Sequence, residues 1–107
     1  MIPKKNEPQK RSRIQERKAA RNYEGQRTPG SGNGWIQKAD VRTDEELFEL
    51  KTTSKSQFAL RSSDLYKLWN AALLDSRTPV FEIEFANDGI TCVVLDKNDY
   101  LAMRENG

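Results

Sequence analysis

The chain has no histidine and only one cysteine, Cys92. Without histidine the usual general base and the commonest zinc ligand are missing, so Ser-His-Asp, Cys-His and His-metal chemistries are excluded. One cysteine closes no internal disulfide. Apolar residues are also scarce. They make up 36% of 107 residues against 32% charged, and the mean hydropathy is −0.86, which supports one small core and no second domain with a core of its own. No run of about 18 apolar residues occurs, and Met1-Ile-Pro-Lys-Lys-Asn-Glu7 lacks the apolar stretch of a signal peptide. The expectation is a cytoplasmic protein without membrane spans. Any catalysis would rest on carboxylates, lysine, hydroxyls and a hard, oxygen-preferring cation.

Charge of each sign is present but unevenly placed. Residues 1 to 28 carry nine basic side chains against three acidic ones, a net +6, and the remainder carries nine against thirteen, a net −4. A basic arm on an acidic body is the outline of a nucleic-acid binder, because lysine and arginine neutralise phosphates and release counterions; a solubilising tail produces the same count. Arg11, Arg13, Arg17, Lys18 and Arg27 are the candidate phosphate contacts in the arm, with Lys38 and Lys55 further along.

Residues 1 to 10 hold two prolines and few apolar groups, so they read as a disordered basic tail before a single domain over 11–107. Arg11 to Glu24 are good helix formers with Gly25 as the stop. The inward stripe of that helix is Glu16, Ala19, Ala20 and Tyr23, which puts an acid among small apolar groups. Arg27 to Gly34 holds three glycines and a proline, the signature of a turn-rich loop. Trp35 to Val41 leads into a short strand, Thr43-Asp-Glu45 turns, and Glu46 to Thr52 forms the next strand, with Leu47, Glu49 and Lys51 on one face and Phe48 and Leu50 packing on a helix from the other. Ser62 or Ser63 with Asp64 reads as an N-cap for a helix whose stripe is Leu65, Leu68, Trp69, Ala72 and Leu73. Pro79 opens a strand over Val80 to Ala86, Asn87-Asp-Gly89 turns, Ile90 to Leu95 returns antiparallel with Cys92 as a buried small hydrophobe, and Asn98 to Met103 forms a short helix. The order α-β-β-α-β-β-α describes an α/β domain, a mixed sheet flanked by helices.

A tight hairpin would bring Asp40, at the end of one strand, to Glu49 and Lys51 on the next. Two carboxylates converging from paired strands offer hard oxygen ligands to Mg2+ or Mn2+, which bind through one or two carboxylates plus a substrate phosphate. The lysine then faces that phosphate. Glu16 on the inward face of the first helix can complete the cluster.

Asp40 followed by Glu49-Leu50-Lys51 resembles the acid and ExK signature of the PD-(D/E)XK nuclease superfamily. Glu16, Arg27, Gly30-Ser31-Gly32, Lys38-Ala-Asp40-Val41 and Glu49-Leu-Lys51-Thr52, with a later helix and strand, are similar to the archaeal-type (Hjc-like) Holliday junction resolvases and their phage-encoded relatives, over roughly residues 12 to 96. The resemblance implies a restriction-endonuclease-like core and a metal-dependent DNA endonuclease acting on branched DNA as a homodimer. Glu16, Asp40 and Glu49 would be the metal-linked acids, Lys51 the catalytic lysine and Ser31 a hydroxyl near the scissile phosphate. Ala39 departs from the proline of the superfamily name. The short spacing from Glu16 to the glycine loop leaves Glu24 as the alternative first acid. A basic nucleic-acid-binding accessory protein with the same fold is the other function these features allow.

Overall fold

The computed structural model describes residues 7–27 and 40–106. Its elements are α1 (Glu7–Asn22), β1 (Gln26–Arg27), β2 (Val41–Arg42), β3 (Glu46–Thr53), α2 (Ser62–Leu74), β4 (Thr78–Phe85), β5 (Ile90–Val94) and α3 (Lys97–Asn106). The strands form one sheet in the order β1-β2-β3-β4-β5. β3 and β4 run parallel, with Glu49 beside Phe81, and every other neighbour is antiparallel. This is the mixed α/β architecture the sequence implied, with the two-residue β1 added at one edge. No helix among the described residues is long and apolar enough to cross a membrane.

Two apolar layers enclose the sheet. On one face Ala19 of α1 packs with Val41, Phe48, Leu50 and Val80. On the other, Leu68 and Ala72 of α2 pack with Leu47, Phe81 and Ile83. The alternation of β3 dictates this division, because successive side chains leave a strand on opposite faces. Parallel β3 and β4 require a crossover, and α2 supplies it.

Turn chemistry sets the boundaries. The Thr43 hydroxyl accepts the Glu46 and Glu45 amides at 3.0 and 3.2 Å, which closes the β2–β3 hairpin at the expected residues. Gly89 takes φ +66° in the β4–β5 turn, a conformation that favours glycine.

Several expectations are corrected. α1 begins at Glu7 rather than Arg11; proline is tolerated in a first turn, where its missing amide would have no helical partner, so Pro8 does not delay it. The polar residue turned fully onto the sheet from α1, beside Ala19, is Gln15, 2% exposed, while Glu16 is half-buried at its flank. The N-cap of α2 is Arg61, in extended conformation and without a side-chain cap, which moves Asp64 into the first turn. Leu73 is 77% exposed because it lies at the outer margin of the stripe. Cys92 is exposed, since β5 is the sheet edge.

Candidate functional site

Asp40 enters the sheet through its backbone and leaves through its carboxylate. Its amide donates to the Phe48 carbonyl at 2.8 Å, and its Oδ2 accepts the Leu50 amide at 2.9 Å, so the side chain continues the β2–β3 ladder where the backbone pairing ends. Val41 lies opposite Phe48, and the next position therefore sets Asp40 against Glu49 on the α2 face. Lys51 follows on that face, its Nζ 3.4 Å from Glu49 Oε2.

Burial pushes the Glu49 carboxyl up to about 7, with Asp40 and Asp64 adding to the rise and the Lys51 ammonium opposing it. Two carboxylates that crowd one another in a partly dry site cannot both ionise cheaply at neutral pH. Added positive charge would relieve the crowding. A pocket of about 140 Å3 opens there, lined by Glu49, Lys51, Asp64, Lys67, Leu68 and Phe81. Asp64 and Lys67 are functional candidates that the sequence pattern alone does not single out. An acid in the first turn of the helix after the Glu49-x-Lys51 strand is the signal that points to them.

The opposite face braces β3. Gln15 Nε2 donates to the Lys51 carbonyl at 2.8 Å and to Glu82 Oε2 at 3.1 Å, and the Tyr23 hydroxyl donates to Glu82 Oε1 at 2.5 Å. Burial and the adjacent Glu82 push the Tyr23 hydroxyl pKa up. The Tyr23 ring stacks on Phe48 with centroids 4.2 Å apart. The strand that presents Glu49 and Lys51 is thus fixed from behind by α1, through a carbonyl of Lys51 itself.

The structure brings Asp40, Glu49 and Lys51 together. Glu16 belongs to α1, on the other face of the sheet, and the charges that shift Glu49 are those of Asp40, Lys51 and Asp64. Among the described residues no group of three histidine, cysteine, aspartate or glutamate side chains converges to hold a metal. A hard divalent cation held by the pair Asp40 and Glu49 would have to fill its remaining positions with water and phosphate oxygen. Glu24, the alternative first acid, is exposed at the end of α1. Ser31 and Lys38 lie outside the described residues, as does the side chain of Arg27. Arg13, Arg17, Lys18 and Lys55 are exposed and Arg11 is half-buried.

A larger open cleft of about 540 Å3 lies between the end of α1 and the β2–β3 turn, lined by Glu24, Arg42, Asp44, Glu45 and Arg77 among others. It contains no member of the Asp40, Glu49 and Lys51 constellation. No protein-family model, no curated protein and no solved structure matches this chain.

Proposed function

We propose that the protein is a metal-dependent DNA endonuclease of the PD-(D/E)XK type, with branched DNA as its substrate and a cytoplasmic setting. The observation that supports this reading is the convergence of Asp40, Glu49 and Lys51 on the α2 face, where Glu49 and Lys51 line a pocket. Asp40 and Glu49 would hold Mg2+ or Mn2+, which when bound supplies positive charge against the phosphate oxygens. Asp40 is positioned by the Leu50 amide, so its carboxylate needs little reorganisation. The Lys51 side chain is 44% exposed, and its ammonium would meet an approaching phosphate and offset charge developing on its oxygens. The basic arm contributes affinity without reading sequence. Paired cuts in a four-way junction would need two such sites, hence two copies.

A second reading, a nuclease-like scaffold that binds DNA without cutting it, is favoured by the two-acid donor set. Incubation with a synthetic four-way junction, a linear duplex and single strands in Mg2+, Mn2+ or EDTA separates them. Cleavage in metal alone is expected, and Asp40→Asn and Lys51→Ala should each slow it roughly 10²-fold or more with binding largely kept. Wild-type rates in both variants, or no product in either metal, overturn the proposal.

A further inference from the structure

One nitrogen of the buried Gln15 amide joins three elements. From α1, Nε2 donates to the Lys51 carbonyl of β3 at 2.8 Å and to Glu82 Oε2 of β4 at 3.1 Å. The Tyr23 hydroxyl holds the other oxygen of Glu82, so the carboxylate that receives Gln15 is itself fixed. Gln15 Oε1 is buried with no hydrogen-bond partner among the described residues. A buried polar atom left unpaired costs about 1–3 kcal/mol, and an unbranched apolar side chain of similar length would fill the space without that cost. Packing therefore does not account for an amide here; what the amide adds is the donor on Nε2.

Where that donor lands is the second observation. β2 pairs with β3 only at Leu47 and Phe48, and beyond them two side chains grip the β3 backbone at consecutive residues: Asp40 takes the Leu50 amide and Gln15 the Lys51 carbonyl. The Lys51 side chain leaves toward α2, on the face opposite Gln15, and lines the pocket there with its Nζ 3.4 Å from Glu49. An ammonium on a flexible four-carbon stem keeps a defined place only if the backbone that carries it does. We propose that Gln15 is a positioning residue for Lys51, fixing from the far face of the sheet the backbone that aims the ammonium at the pocket. Its part in catalysis rests on the nuclease reading, whereas its hold on Lys51 does not.

Gln15→Met removes the donor and keeps the length of the side chain. In single-turnover cleavage of a four-way junction in Mg2+, it should be about tenfold slower at unchanged substrate affinity. Tyr23→Phe takes a hydrogen bond from the same carboxylate but leaves Gln15 on Lys51, and should keep the wild-type rate. In a Lys51→Ala background, adding Gln15→Met should cost nothing further, because the residue it acts through is gone. Brief reductive methylation read by mass spectrometry needs no nuclease activity: Lys51 should react about twofold or more faster in Gln15→Met, the scale of one exposed ion pair released, with Lys55 and Lys67 unchanged. Gln15→Asn, a methylene short of the carbonyl, should reproduce both shifts and serves if Gln15→Met does not fold. Lys51 methylated at the wild-type rate in these variants overturns the proposal, as does a loss in Tyr23→Phe equal to that in Gln15→Met, or a further loss in the double variant. A wild type that cleaves nothing in metal overturns the nuclease reading alone, and methylation then decides the hold on Lys51.

Discussion

Glu49 is placed where its ionised form is least comfortable, between the Phe81 layer and the Asp40 carboxylate, with Lys51 as the offsetting charge. Its pKa rises from 4.5 to about 7, so between those values the folded protein keeps a proton that the unfolded chain has released. Stability is full below pH 4.5 and falls as pH rises toward 7. The accumulated loss is on the order of 3 kcal/mol, at about 1.4 kcal/mol per unit. Denaturation from about pH 4 to 8 without divalent metal should therefore show Glu49→Gln gaining on the wild type by that amount. A pH-independent difference between the two would mean that Glu49 is not perturbed. Mg2+ or Mn2+ at neutral pH should return the loss to the wild type and not to the variant.

At the scale of the element, α1 ends in a way that separates two roles often given to one glycine. The left-handed position belongs to Glu24, at φ +56°, and the Gly25 amide donates back to the Ala20 carbonyl at 2.8 Å, closing a Schellman turn. Gly25 is needed for space: an added Cβ would stand 2.7 Å from the Arg42 carbonyl oxygen and 2.9 Å from Val41 Cγ1. Glu24→Gly should raise stability by about 1 kcal/mol, while Gly25→Ala should lower it by about 1–3 kcal/mol as β2 is pushed away. Urea denaturation midpoints report both. A neutral Gly25→Ala would show that α1 and β2 are not held this closely.

The whole molecule divides its chemistry between two faces. The carboxylates and Lys51 lie under α2, and the exposed Arg13, Arg17 and Lys18 lie on α1 across the sheet. On the proposed nuclease reading, a duplex that touches both would have to pass around an edge of the sheet, so affinity and chemistry would be separable. Arg13→Ala/Arg17→Ala/Lys18→Ala keeps good helix formers in α1. The log–log salt dependence of DNA binding should become shallower by about 0.9 for each phosphate that is no longer neutralised, with the metal requirement for cleavage unchanged. An unaltered slope would remove α1 from the DNA interface.

Local order was legible because the signals are short-range. The alternation Leu47-Phe48-Glu49-Leu50-Lys51 assigned two faces to β3, Thr43-Asp-Glu45 turned the chain, and the spacing of Leu65, Leu68, Trp69 and Ala72 marked α2; together these set Asp40 against Glu49. The sequence by itself thus determined the strand pair that joins the two acids and the lysine. Which helix covers them was decided only in three dimensions. Parallel pairing of β3 with β4 carries α2 over Glu49 and brings Asp64 and Lys67 to the pocket. The docking angle of α1 chose Gln15 over its neighbour Glu16 for the sheet. The edge position of β5 left Cys92 in solvent. Each of these outcomes depends on contacts between segments far apart in the chain, and hydrophobic periodicity records only that a face is buried, not what buries it.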